Sequence, residues 1–203
     1  FVDNMSIAGM VHMAIVRSPF AHARVVKVDV SKALEMPGVI AAWSATDLTD
    51  EWAGPLPMVW PITEDIKTSD HWPLTKDKAR FQGDGVAVVL ADSRTHAIDA
   101  AELVDVEYEP LPVIADVAAA AEDGAPLVHE ELGTNVSYVW KLETDAFDAA
   151  IAAGDVVVKR RYYQPPLIPN AIEPRGVVAR PEPGGDVTVW SATQIPHILK
   201  IFI

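Results

Sequence analysis

Cysteine is absent from the 203 residues. Disulfides, thiolate catalysis, Cys-ligated zinc and iron–sulfur clusters are therefore excluded within this chain. Long apolar runs are absent too, and no stretch approaches the ~18 residues of a membrane-spanning helix. Basic charge is scarce: 16 Lys and Arg stand against 29 Asp and Glu, a formal net charge of −13. No cluster supplies the basic face that would release counterions from nucleic-acid phosphates, so nucleic acid is excluded as a partner. Only Lys159-Arg160-Arg161 is locally basic. It falls in a strand pattern and reads as a solvated face or a domain contact. The opening "FVDNMSIAGM" has no initiator Met, no charged n-region and no apolar h-region of a secretory leader, so a cytoplasmic location is expected. The closing "PHILKIFI" starts a helical pattern and stops within it, and both ends read as cut from a longer chain.

Several catalytic signatures are missing as well. His12, His22, His71, His96, His129 and His197 are scattered, with no HxxxH or HExxH spacing. There is no GxSxG elbow and no P-loop. "GDG" at 83–85 has too few glycines to cradle a phosphate and reads as a tight turn before a buried strand. "HEE" at His129–Glu131 follows a connector and reads more readily as a surface turn than as a metal site. The paired carboxylates Glu107/Glu109 and Glu130/Glu131 both read as solvated.

Half of the residues are hydrophobic, enough for a packed core. Met10 to Val16 reads as a buried strand. In residues 25–30, "VVKVDV", Val26, Val28 and Val30 share one face. Ser31 is placed to cap a short helix, "KALEM", which Pro37-Gly38 ends. "VIAAWS" is the next strand. Residues 51–74 hold three Trp and four Pro without a period. A loop of that length is functional or mobile, or it wraps over the core. "GVAVVLA" is a continuous apolar strand, and Asp92-Ser93 can cap the helix behind it. That helix carries Ala97, Ala100, Ala101 and Val104 on one small-residue face. "VDVEYEP" alternates into a strand with one acidic face. An Ala-rich connector ends near Gly124. A second unit follows: strand "VSYVWKLE", helix "DAFDAAIAA" capped by Asp145, strand "DVVVKRRYY", then a hairpin turning at Gly184-Gly185. Pro196 then opens a helix at the position where its missing N–H costs nothing.

Two stretches can carry chemistry. In "PNAIEPRGVVA", Glu173 and Arg175 flank Pro174 in apolar surroundings, as a structural ion pair at a corner or as part of a substrate channel. In "VWSATQIPH" a strand ends in small polar residues and a neutral amide, Gln194, just before a helix start. An amide can donate to an oxo or carbonyl oxygen without bringing charge, and helix-initial N–H groups converge nearby. Capping of the helix by Gln194 fits the sequence equally well.

The motifs together resemble a known family. "GMVHMAIVRSPFAHARVVKVDVSKALEMPGVIAAWSATDL", "RFQGDGVAVVLADSRTHAIDAAELVDVEYEPLPVI", "GAPLVHEELGTN" and "IEPRGVVA…VWSATQIPH" occur in the order found in the large subunits of the xanthine dehydrogenase/aldehyde oxidase/carbon monoxide dehydrogenase family. The resemblance implies an α+β fold. Residues 1–114 would form the α/β hammerhead domain, 115–135 a connector, and 136–203 the beginning of a molybdopterin-binding domain. It implies a molybdenum hydroxylase when full length. Water-derived oxygen would enter the substrate, or CO would become CO2, at a molybdenum–molybdopterin cytosine dinucleotide. Electrons would leave through an iron–sulfur small subunit and an FAD medium subunit, in a dimer of heterotrimers. Gln194 would bind the cofactor by hydrogen-bonding a molybdenum oxo ligand. "QGDGVA" departs from the family's usual Gly-Glu-Pro turn. "IEPR" is nearest to relatives that oxidise CO or N-heterocycles. The family's glycine-rich pterin loop and catalytic glutamate lie beyond these residues, so no catalytic residue is assigned and this stretch alone is expected to be inactive. The competing reading is a non-catalytic hammerhead scaffold that binds partner subunits through its acidic surface.

Overall fold

The computed structural model describes residues 1–58 and 62–203. Trp60 and Pro61 of the Trp- and Pro-rich loop lie outside the described residues. The chain divides into two compact units, Gly9–Val139 and Phe1–Ala8 with Trp140–Ile203.

The Gly9–Val139 unit holds two three-stranded antiparallel sheets. The first has the order β1–β5–β3, with β1 at His12–Arg17, β3 at Val39–Ser44 and β5 at Gly85–Ala91. The second has the order β4–β2–β6, with β2 at Ala23–Asp29, β4 at Lys78–Ala79 and β6 at Asp105–Pro110. Three helices accompany the strands: α1 (Ser31–Leu34), α2 (Ala45–Leu48) and α3 (Arg94–Ala101). The core joins Ala33 of α1, Ala42 of β3, Val89 of β5 and Ala100 of α3, with Met36, Val39 and Val104 packed around them. Small residues at each crossing let helix and sheet backbones approach closely, as the Ala face of α3 predicts. Ser93 caps α3 by accepting from the His96 N–H at 3.2 Å.

Three local expectations need correction. β1 is not buried; alternate residues point outward and Met13 is 61% exposed, because only one face of the strand is covered. On β2 the register shifts between Val25 and Lys27, so a bulge at Val26 breaks the strict alternation. Val26 is consequently 53% exposed while Val25 and Val28 are half-buried. Ser31 is the first residue of α1 rather than its cap. Asp29 does the work there, accepting from Ser31 N at 3.1 Å and Ser31 Oγ at 2.6 Å.

The connector packs on this unit. α4 (Val117–Ala120) is capped by Asp116, which accepts from Ala118 and Ala119. Asn135 ties the connector's own turns together, accepting from Val128 N and donating to the carbonyls of Ala120 and Pro126. Ser137 and Lys67 then exchange two hydrogen bonds, at 2.9 and 2.7 Å. In the long loop, Trp52 and Trp72 lie 5.8 Å apart, and the Lys76 ammonium sits 3.2 Å from the Trp72 ring centre.

The other unit is built differently. It contains α5 (Phe147–Ala152), the hairpin β7 (Val177–Pro181) with β8 (Val187–Ser191), and α6 (Pro196–Phe202). Residues 136–143, which run from the first unit into this one, and 155–163 are both β-prone in sequence and form no strand. A strand needs a neighbour for its N–H and C=O groups; residues 136–143 meet one only at Ser137, where Lys67 N donates to the Ser137 carbonyl, and 155–163 have no ladder partner among the described residues. Asp145 does not cap α5, whose cap position is Ala146 with no side-chain bond.

Candidate functional site

The hairpin positions Gln194. Gly184 and Gly185 make its turn with φ of +111° and +98°, a region that favours glycine. Glu182 ties its strands, accepting from Thr188 Oγ1 at 2.7 Å and from Arg180 Nε at 2.9 Å. The Thr188 hydroxyl, then Arg180, hold the Glu182 carboxyl below its usual range. The Arg180 guanidinium also lies 5.4 Å from the Trp190 ring centre. Beyond β8, Ala192 N donates to Gly176 O at 3.1 Å, so the ladder continues one step. Thr193 Oγ1 then accepts from Ile195 N at 3.2 Å and turns the chain into α6.

Gln194 stands at this turn with its side chain exposed. α6 begins at Pro196 and carries no side-chain cap, so Gln194 is not its cap. Among the described residues the Gln194 amide has no hydrogen-bond partner in the structure. It is a free neutral donor at the end of a strand.

Glu173 and Arg175 sit at the entrance to the hairpin. Glu173 Oε1 accepts from Val2 N at 3.2 Å, which holds the opening 3-10 turn, Val2–Asn4, against this corner. Arg175 is exposed, and among the described residues it forms no ion pair with Glu173. No side-chain bond joins Gln194 to either residue. Among the described residues there is also no group of three or more His, Asp or Glu able to hold a metal ion.

A second polar cluster lies in the Gly9–Val139 unit. A cavity of about 150 Å³ is lined by Leu74, Thr75, Arg80, Phe81, Ser69 and His129, among others. Lys78, itself buried on β4, donates to both oxygens of Glu130 at 2.7 Å. Its ammonium, chiefly through these bonds, holds the Glu130 carboxyl below the ordinary range. Glu130 is exposed, as the sequence suggests, and in addition pairs with a buried lysine. Ser69 Oγ lies 3.3 Å from His129 Nε2, and His129 Nδ1 lies 3.2 Å from Glu131 Oε1. Desolvation pushes the Glu131 carboxyl up, but backbone and His129 hydrogen bonds with the nearby Arg80 charge bring it below its usual value. Thr75 Oγ1 and Arg80 Nε are buried without a partner among the described residues. Sequence spacing gave no hint of this cluster, because Ser69 and His129 are 60 positions apart.

Two family models cover most of the chain. Residues 1–112 match the family model of the aldehyde oxidase and xanthine dehydrogenase a/b hammerhead domain, and 128–203 match that of the molybdopterin cofactor-binding domain. The carbon monoxide dehydrogenase large chain of Hydrogenophaga pseudoflava is 36% identical over 217 aligned positions, covering 100% of this chain and 26% of the relative. The nicotine 6-hydroxylase large subunit of Paenarthrobacter nicotinovorans is 32% identical, covering 99% and 24%. The crystal structure of quinoline 2-oxidoreductase from Pseudomonas putida 86 superposes with a TM-score of 0.86 at 32% identity, covering 100% of this chain and 26% of that one. The chain thus spans about a quarter of the length of the curated relatives it matches. With its hammerhead model spanning more than half of the residues and the cofactor-binding model following in order, the chain belongs to the aldehyde oxidase and xanthine dehydrogenase family.

Proposed function

We propose that these residues open the large subunit of a molybdopterin-dependent oxidoreductase that oxidises a small molecule: CO, an aldehyde or an N-heterocycle. The domain reading that goes with it is a hammerhead over 1–114, a connector over 115–135 and a molybdopterin-binding region from 136. Support comes from the ordered match of two family models and from relatives named for CO, nicotine and quinoline oxidation. The observation that carries the reading at the residue level is the unengaged amide of Gln194 at the end of β8.

That amide fits an oxo-bearing metal cofactor. Its NH2 group can donate to an oxygen while adding no charge, so it orients the group without shifting its charge balance. When bound, a molybdenum–pterin supplies a two-electron acceptor and a site for water-derived oxygen. Gln194 would then hold one oxygen in place, and the hairpin would fix Gln194. Glu173 anchors the corner through Val2 N, which keeps the approach to β7 in register. We assign the pterin as the cytosine dinucleotide form, and iron–sulfur and FAD subunits as the electron exit. A cysteine-free chain is consistent with iron–sulfur ligands supplied from elsewhere.

The test is metal analysis of the full-length subunit, expressed with its neighbouring genes in a host that makes the cofactor. Near-stoichiometric molybdenum is expected. Gln194→Ala should keep most of the metal yet lower turnover at least about tenfold, the usual scale for losing one positioned donor. A folded, soluble preparation without molybdenum would overturn the assignment.

A further inference from the structure

The cavity in the Gly9–Val139 unit carries an arrangement that the molybdenum chemistry does not use. Ser69, His129 and Glu131 form a continuous chain of side chains, hydroxyl to imidazole to carboxylate, with links of 3.3 and 3.2 Å. The protonation pattern follows from the acceptor. An ionised carboxylate can only accept, so His129 Nδ1 must carry the proton toward Glu131. Nε2 is then left with its lone pair facing the Ser69 hydroxyl. This is the tautomer in which a histidine takes a proton from a serine, with the base oriented by a third group. The depressed Glu131 carboxyl keeps that orienting group ionised.

The same cavity holds unspent hydrogen-bonding capacity. Thr75 is 8% exposed and its hydroxyl has no partner among the described residues. Arg80 Nε is likewise buried and unpartnered, although its guanidinium also donates to Lys78 O at 3.2 Å. A buried donor without an acceptor is uncommon in native proteins and calls for an explanation. Leu74 and Phe81 supply apolar wall. The cavity, about 150 Å³, opens to solvent. It has room for a small acyl group.

From this geometry we infer a second, hydrolytic site: Ser69 is an activated nucleophile for small activated acyl esters, with His129 as its base and Glu131 as the positioning residue. The proton and bond accounting closes without a cofactor. Ser69 Oγ bonds to the acyl carbon as His129 Nε2 takes the hydroxyl proton. The bond from that carbon to the leaving oxygen breaks, and His129 returns the proton to the departing alcohol. Water gives a proton to His129 Nε2 as its oxygen bonds to the acyl carbon; the bond from that carbon to Ser69 Oγ then breaks, His129 returns the proton to Ser69, and the carboxylic acid leaves. No electrons are exchanged. Thr75 and Arg80 line the same cavity, and a turn of their buried Oγ1 and Nε toward it would supply donors for the carbonyl oxygen.

The experiment uses the full-length subunit with its partners. It is treated with a small fluorophosphonate, and the adduct is located by peptide mass spectrometry. Hydrolysis of p-nitrophenyl acetate is followed in parallel. Labelling at Ser69 is expected. It should vanish in Ser69→Ala and fall at least about tenfold in His129→Ala, the lower end of what a general base contributes. Glu131→Gln should lower kcat with little change in KM and alter the pH profile, which a purely structural role for Glu131 would not do. Ser69→Cys covers the case in which the other variants misfold: its thiol should react with iodoacetamide faster than an ordinary exposed thiol at pH 7. Absence of label on the wild-type Ser69, label only at other residues, or equal ester hydrolysis by the wild type and Ser69→Ala would each overturn the site. None of these outcomes depends on molybdenum, so failure here leaves the oxidoreductase reading untouched.

Discussion

The two compact units share one kind of sequence and reach very different states of packing. In Gly9–Val139, Val86, Val89, Ala33 and Ala100 are completely buried. In Phe1–Ala8 with Trp140–Ile203, no residue is buried at all. Yet Val156, Val158, Tyr162, Tyr163, Ile168 and Ile172 are as apolar as any core, and each is at least 72% exposed. Apolar content is therefore not what separates the units. What separates them is whether a second layer exists to cover the first. The Gly9–Val139 unit closes helices over its sheets within its own residues, while the other unit offers one hairpin and two short helices.

The sharpest way to break that contrast is to place a charge at matched valines. Val89→Asp would bury a carboxylate with no partner at the centre of β5. It should lower the chain's stability by more than about 4 kcal/mol, read as lost cooperative unfolding in urea. Val156→Asp, at a site 83% exposed, should change it by less than about 0.5 kcal/mol. Equal effects at the two positions would mean that residues 155–163 are covered in solution. In the full-length subunit the second substitution should become costly, if the continuation of the molybdopterin-binding region supplies the missing layer.

Glycines give a smaller version of the same comparison. Gly38 and Gly184 both have positive φ, +88° and +111°. A Cβ on Gly38 would collide with His96 Nδ1 and come within 2.8 Å of Asp92 Oδ1, breaking the 2.6 Å contact between those two side chains. A Cβ on Gly184 would meet nothing within 4 Å. Gly38→Ala should cost about 3 kcal/mol, backbone strain plus displacement. Gly184→Ala should cost about 1–2 kcal/mol, from strain alone. Thermal denaturation of the two variants ranks them.

The same asymmetry decides what was legible in the sequence. β3, β5, α3 and β6 were readable because each carries its own period or cap and finds a partner within the unit. The hairpin around Gly184-Gly185 and the start of α6 at Pro196 were readable for the same local reasons. The strands expected at 136–143 and 155–163 failed because β propensity reports a surface that suits a sheet, and says nothing about whether a neighbour is present. The bulge at Val26 was hidden because it depends on the register with β6. At the candidate site, Gln194 stood out by its place at a strand end. The Ser69–His129–Glu131 chain did not, since a long loop and a connector must fold against each other before its members meet.

The connector offers the finest test of the contrast, because one ion pair bears on whether it stays with the packed unit. Lys78 is buried and Glu130 is half exposed, so the pair bridges the interior of the sheet and the surface of the connector. Glu130 has a folded value below its ordinary 4.5. A depressed carboxylate contributes stability that is present above the unfolded value and lost as pH falls through the folded one. The wild type should therefore lose this contribution progressively below about pH 4.5, the unfolded value, as Glu130 takes up a proton. Glu130→Gln keeps the shape, removes the charge, and should flatten that part of the pH dependence. The difference between the two proteins should be largest near neutral pH, shrink toward pH 3, and stay below about 1 kcal/mol because the carboxylate is largely solvated. Thermal melts from pH 7 to pH 3 read it directly. Parallel curves for wild type and variant would mean that Lys78 is neutralised by another group, and that the connector is held by contacts other than this ion pair, the Ser69–His129 bond among them.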